Sequence, residues 1–411
     1  MMDATRRGFL RGVVGTGALG AGMAAAGIPV AGAEGRGVAE PGGTVVVIHL
    51  VGGVDGLSVL VPHGDPRYNE RRPTIAVAAP GERYGAIELD RGLGLHPALA
   101  PIWNRLGPTD QLAVICGVGV PDNGDGNRSH LPARDFLHRG GRHEPEGWAS
   151  RLLRFEGLDG AAVWSFGPGP HPMFDGLAGA VAANRPTVSV GAHRDPAGAV
   201  SAVSRAYGGG SDIGRSGQAA LAASGRWSNT SWTSAADRLA RGYPEGRLGR
   251  SLAATADMIR EDRGLRLVAI DHDGYDTHVD QGGGRSGVLA HRLDRLARGL
   301  TAFWTDVEDA DDRAPVTVVV VSEFGRAIDE NGSGGTEHGR GGVALALGDR
   351  VVGGVHGDLP DLDTDEVWPV SVDIRRVCAD AVSSHGFRPW RGGVFPGLPL
   401  PNRSLGLLLS P

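Results

Sequence analysis

VVVIHLVGGVD (residues 45–55), LVAIDHDGYDTH (267–278) and VTVVVVSEFGR (316–326) each run a β-branched, apolar stretch directly into carboxylate or imidazole groups. Strands buried on both faces of a parallel sheet read as continuous Val/Ile/Leu runs, and open α/β sheets bind ligands beyond the carboxyl ends of such strands. Three strand ends of this kind predict one shared polar site at one edge of a sheet. Carboxylate oxygens with a few imidazoles suit a divalent metal ion, Zn²⁺, Mg²⁺, Mn²⁺ or Ca²⁺, better than a thiolate metal.

Around these three runs the pattern alternates strand and helix. Strands are expected at 44–51, 74–79, 111–118, 161–166, 265–270, 316–321, 342–347 and 350–355, with helices near 98–106, 131–138, 148–155, 252–260, 288–307 and 371–384. Strands joined by helices of this length give a mainly parallel sheet covered on both faces, a three-layer α/β/α sandwich. The stretch 195–246, rich in Gly, Ser, Ala and Arg, reads as a partly helical surface insertion or lid. We therefore expect one domain over 34–411, carrying that insertion.

Residues 1–33 read as an export leader. Arg6 and Arg7 precede Phe9 and Leu10, an uncharged Gly/Ala/Val core follows, and Ala31-Gly32-Ala33 has the form of a cleavage site. Paired arginines before a mildly apolar core resemble a twin-arginine signal, which implies the twin-arginine translocase as a partner during export, folding before transport and a periplasmic, cell-wall or extracellular destination. No later run approaches the roughly 20 apolar residues needed to cross a bilayer, so no stable membrane span is expected.

The formal net charge of −6 falls to −8 without the leader, in which Asp3 stands against Arg6, Arg7 and Arg11. An acidic mature chain argues against nucleic acid as a partner. All 41 basic residues are arginine. The lack of lysine removes P-loop nucleotide hydrolysis, Schiff-base catalysis and pyridoxal phosphate attachment. Cys116 and Cys378 are too few for a disulfide framework or a Cys-rich zinc site, although an exported protein could join the two.

Five residues are candidate metal ligands. Asp55 follows the first apolar run in a Gly-rich turn, where it could equally cap its own backbone. Asp276 and His278, two residues apart, can aim mixed O/N donors to one side. Glu323 follows four valines and a serine; a buried carboxylate there must be paired, hydrogen-bonded or metal-bound, and Arg326 is an obvious ion-pair partner. His338 sits in the Gly-rich GSGGTEHG loop (332–339). For catalysis, Ser129 beside a cation could act as a nucleophile, with Arg128 or Arg326 stabilising anionic charge. Spacing alone also permits Ser129 as a simple cap on the helix near 131.

RRGFLRG (6–12), GGVDGLSVLVPHGDPRY (52–68), GLHPALAPIW (94–103), NRSH (127–130), GYDTHVDQ (274–281) and VVVVSEFGR (318–326) with NGSGGTEHG (331–339), in this order, resemble the exported bacterial family of domain of unknown function 1501. The resemblance spans nearly the whole mature chain except about 195–246. It implies an alkaline-phosphatase-like fold, in a superfamily of phosphatases, sulfatases, nucleotide pyrophosphatases and phosphoglycerate mutases. It also implies that Asp55, Asp276, His278, Glu323 and His338 hold metal and that Ser129 lies near the nucleophile loop. Where that superfamily carries SDHG, this chain reads Ser322-Glu323-Phe324-Gly325, so phenylalanine replaces an imidazole. Pro132 stands where the family usually has Asp.

The expectation is a metal-dependent phosphoric or sulfuric ester hydrolase acting on a small anionic ester. The alternative is a non-catalytic envelope protein that keeps the fold and binds a polysaccharide, another envelope polymer or a protein. A redox protein is disfavoured, because neither a dinucleotide fingerprint nor a thiolate cluster is present.

Overall fold

The computed structural model describes residues 42–399 except 91, 122–127, 168, 183–200, 203, 209–210, 228–229, 311 and 392. The leader with Arg6 and Arg7 lies outside the described residues.

The first apolar run forms β1 (Thr44–Val51), the centre of a nine-stranded sheet. A small sheet follows, of β2 (Leu60–Val61), β3 (Ile87–Glu88) and β4 (Gly94–Leu95). The main sheet continues with β5 (Leu112–Gly119), β6 (Val163–Ser165), β7 (Val181–Ala182), β8 (Leu267–Asp273) and β9 (Val316–Val321). Strands β10 (Arg326–Glu330) and β11 (Thr336–His338) form a hairpin, and β12 (Gly342–Gly348), β13 (Gly354–His356) and β14 (Val372–Asp373) complete the set. The order is β13-β5-β12-β9-β1-β8-β6-β7, with β14 also paired to β5. Strand β1 pairs in parallel with β8 and β9, and β12 runs antiparallel to both its neighbours. The mainly parallel sheet expected from the three apolar runs is therefore present.

Because side chains alternate across a strand, β1 feeds two cores. Val46, Ile48 and Leu50 enter the larger one, beneath α1 (Ala100–Leu106) and the long helices α4 (Arg247–Arg260) and α5 (Val288–Glu308). Val45 and Val47 enter the second, beneath α2 (His130–Arg139), α3 (Trp148–Phe155) and α6 (Ile374–Ser383). These two helical layers give the α/β/α sandwich.

Three local expectations differ from the structure. Thr74–Ala79 is not a strand: Ile75 and Val77 are buried, but the backbone amides of Thr74 and Ile75 donate to the Glu330 carboxylate and that of Val77 to the Tyr68 hydroxyl. Side-chain partners thus replace a ladder. The strand expected at 350–355 shrinks to β13. The stretch 195–246 is more than surface: helix Asp212–Trp227 ends on a buried Trp227 whose ring meets Trp164 of β6 edge-on at 6.2 Å, and Tyr243 is buried as well. Cys116 and Cys378 are both free and buried, so they do not join, and burial raises both thiols to about 12.

Candidate metal centre

The carboxyl ends of β1, β8 and β9 lie side by side, because His49 pairs with Asp271 on one flank and Val321 on the other. Chain turns beyond these ends depend on glycine. Gly52 (φ +128°) and Gly53 (φ +77°) occupy the left-handed region, and a Cβ would meet the Asp276 amide nitrogen at 2.2 Å or the Phe324 ring at 2.4 Å. With no side chain in the way, the Gly52 amide donates to Glu323 Oε1 at 3.0 Å.

Glu323 is fully buried and sits between two groups of histidines. Its Oε2 accepts from His49 Nε2 at 3.0 Å and its Oε1 from His130 Nδ1 at 3.0 Å. Burial works against the charged carboxylate, but the hydrogen bonds and charge of His49, then the bond from His130, outweigh it and hold the pKa down at about 2. Glu323 does not pair with Arg326. That guanidinium is buried and donates to the carbonyls of Gly52, Gly53, Tyr275 and Thr336, and to Asp276 Oδ1 at 2.5 Å. Arg326 is therefore a brace that ties the β1, β8 and β9 turns together; its buried position does not suit it to meet a substrate.

The outer group gathers on Asp276. His278 Nε2 and His338 Nε2 each lie 3.1 Å from Asp276 Oδ1 and 3.0 Å from each other, and His130 Nε2 lies 3.4 Å from Asp276 Oδ2. Each of these rings spends its other nitrogen on an oxygen: His338 Nδ1 on the Arg128 carbonyl at 2.7 Å, His278 Nδ1 on Glu337 at 3.2 Å and His130 Nδ1 on Glu323. His338 Nδ1 faces a carbonyl and so donates, which in a singly protonated ring turns the Nε2 lone pair toward Asp276, whereas His278 and His130 meet a carboxylate with both nitrogens and Arg326 Nη1 also lies 3.4 Å from His278 Nε2. Nitrogens crowded in this way around one carboxylate are satisfied by added protons, by the Arg326 guanidinium or by a metal cation. A divalent ion taking O and N donors fits, and the outward N–H to oxygen bonds are those that orient metal-bound histidines. His130, Asp276 and His338 meet the geometry of a group able to hold a metal ion. Burial opposes charge on Asp276, but Arg326 and His338 outweigh it and lower its pKa.

The inner group lies on the second-core face. His49 follows Val45 and Val47 onto that face, as Asp271 follows Leu267 and Ala269. His138 on α2 brings Nε2 to 3.2 Å from His49 Nδ1, which is itself 3.4 Å from Asp271 Oδ1. His171 Nε2 donates to Asp271 at 3.2 Å, since its Nδ1 accepts from the Met173 amide. Burial disfavours charge on His49, but hydrogen bonds to Asp271 and Glu323 raise its pKa to about 9; burial, then the neighbouring His171 and His49, lower His138 well below its ordinary value.

Of the expected ligands, Asp276, His278 and His338 come together, and Glu323 joins them through His130. Asp55 does not: it is buried in a two-pronged ion pair with Arg72, at 2.6 and 3.1 Å, and also accepts from Ser58 and Gln281. Ser129 stands at the N-cap position of α2, but its side chain makes no capping bond and is exposed, beside His130. The cap function that spacing permits is not used. Phe324 takes the corner between His130 and His338, with ring centroids 5.0 and 4.8 Å away. Sequence reasoning did not single out His49, His130, His138 or His171 as ligands. A lone imidazole inside VVVIHLV was a usable signal, whereas helix and loop histidines carried none.

Fold and site together define a mainly parallel α/β sandwich with a histidine–carboxylate centre at its carboxyl edge. Residues 194–389 match the model of a family described as a protein of unknown function (DUF1501), which supports that family for this chain. The match carries Asp276, His278, Glu323 and His338, includes the 195–246 stretch that the resemblance was expected to skip, and excludes the earlier motifs around Asp55 and Ser129. No match to the chain was found among curated proteins. No helix among the described residues is long and apolar enough to cross a membrane.

Proposed function

We propose that this chain is an exported metal-dependent hydrolase that cleaves phosphate or sulfate esters through Ser129. The observation that carries the reading is the outer group, where the Nε2 atoms of His278 and His338 converge on Asp276 and His338 is held by the Arg128 carbonyl, next in sequence to an exposed Ser129. Asp276, His278, His338 and His130 would hold the ion, and Glu323 would orient His130 from behind. When bound, a divalent ion supplies Lewis acidity, offsetting charge on an ester oxygen and lowering the pKa of a nearby hydroxyl. Ser129 Oγ attacks the phosphorus or sulfur, its proton passing to solvent at the open site, and the bond to the ester oxygen breaks. The leaving alcohol takes a proton from water, and a second water releases phosphate or sulfate from the serine. Arg128, exposed in the same loop, supplies positive charge for the anionic group, while its carbonyl fixes His338. The twin arginines Arg6 and Arg7 belong to the same reading, because folding before export lets the ion be loaded beforehand.

One observation favours a non-catalytic binding protein of the cell envelope: Phe324 fills, with a ring that cannot ligate, a corner between two site histidines. Aryl phosphate monoester, phosphodiester and sulfate substrates offered to the Zn²⁺- or Mn²⁺-reconstituted mature chain separate the two. We expect turnover of at least one, lowered on the order of 10³-fold or more by Ser129→Ala with metal content intact. Metal binding without turnover of any substrate assigns the protein to the binding class, and unchanged turnover in the variant removes Ser129 from the reaction.

A further inference from the structure

We infer that the inner group is a second metal site, in which His49 Nδ1, His138 Nε2 and the Asp271 carboxylate hold a zinc-class divalent ion. The inner residues form this site whether or not the outer site is catalytic.

The three donor atoms lie within 4.8 Å of one another, and His49 and His138 are buried. They come from three elements that the fold holds rigidly. His49 and Asp271 are register partners on adjacent parallel strands, and His138 stands in the last turn of α2, whose Ala133, Phe136 and Leu137 anchor it in the second core. Two imidazoles and a carboxylate are the donor set of zinc and its neighbours in the first transition row.

Hydrogen bonding around the group is of the outward-facing kind. His49 gives its Nε2 proton to Glu323, and Asp271 receives the Nε2 proton of His171, whose Nδ1 is fixed by the Met173 amide. In a neutral His49 ring the Nδ1 lone pair then faces both His138 Nε2 and an Asp271 oxygen, two further electron-rich atoms when His138 presents its lone pair. Three such donors, two of them on buried imidazoles, call for a positive centre between them. A bound ion provides one and uses every donor. Ligating histidines typically pass their second N–H to a carboxylate, as His49 does here.

Glu323 touches both groups, accepting from His49 on one oxygen and from His130 on the other. The two sites are thereby linked through a shared orienting carboxylate. Neither imidazole donates a ligand to both, so each ion can be lost separately. Ligands drawn from strand and helix, with His138 and His49 buried, mark the inner site as the slower to exchange.

Zinc is the probe. The mature chain reconstituted with Zn²⁺ is crystallised, and anomalous difference maps are measured at the zinc edge. A peak between His49 Nδ1, His138 Nε2 and Asp271 is expected, and in solution His138→Gln and Asp271→Asn should each hold one equivalent fewer than the parent. Variants Asp276→Ala/His278→Ala should keep the inner peak, which separates this site from the outer one: an inner peak without an outer one leaves this inference standing and removes the outer reading. A map with no inner peak, with the His138→Gln content equal to that of the parent, overturns it and makes His49 a protonated imidazolium shared between Asp271 and Glu323. The map needs no variant, so a misfolded substitution cannot obscure the result.

Discussion

Asp55 and Asp276 both follow a buried parallel strand, and both lie in Gly-bearing turns of similar sequence, yet the molecule uses them in opposite ways. Asp55 is saturated: Arg72, itself fully buried, grips both its oxygens while Ser58 and Gln281 supply further donors. Asp276 is half open, with its side chain 46% exposed, and meets one Arg326 hydrogen bond and three histidine Nε2 atoms. A strand-end carboxylate becomes a candidate metal ligand here where imidazole nitrogens converge on it. Where a buried guanidinium takes both oxygens, as Arg72 does at Asp55, the carboxylate becomes part of the frame, whereas Arg326 takes only Oδ1 of Asp276.

Breaking the closed member of this comparison should cost the most. Arg72→Met removes the partner of a buried carboxylate, and about 3–5 kcal/mol of stability should be lost, because the remaining charge is left uncompensated in a dry interior. Urea denaturation of the folded chain measures the loss. Metal content should stay as it is, and a variant that lost its metal while unfolding at the parent's midpoint would show that Asp55 serves the site after all.

Histidines sharpen the contrast at the opposite edge of the sheet. His385 is buried, and its nitrogens meet the Gly42 carbonyl and the Thr317 hydroxyl, both at 2.9 Å. Burial lowers its pKa from 6.5 to about 4. The unfolded chain therefore takes up a proton near pH 6.5 and the folded chain only near pH 4. Its contribution is fully present above pH 6.5 and falls away as the pH drops from there to 4, by an upper limit of about 3 kcal/mol. Denaturation midpoints taken at intervals across that window should decline in the parent and decline less in His385→Asn. Identical slopes would mean that His385 titrates alike in both states.

The frame was more legible than the site, for a physical reason. Continuous valine runs report burial on both faces, and that property alone fixes β1, β8 and β9 as central strands and their carboxyl ends as neighbours. Asp276, His278 and His338 could be read because they follow such runs in polar, Gly-rich loops. Asp55 looked the same in sequence, since nothing local announces that Arg72, 17 residues on, returns to it. Glu323 and Arg326 are three residues apart and of opposite charge, but β9 ends between two histidine groups, and Glu323 turns to His49 and His130 while Arg326 turns to backbone carbonyls. His138 and His171 come from a helix and a loop distant in sequence, and only the packed fold brings their rings within 4.4 Å of each other.

The central claim is that the outer histidines and Asp276 hold a divalent ion, and elemental analysis of the folded, metal-reconstituted mature chain beside Asp276→Ala/His278→Ala tests it most directly. The parent should hold near-stoichiometric metal and the double variant one equivalent fewer, with little change in thermal stability. Equal metal content in the two, or a parent that stays metal-free after reconstitution, would contradict it.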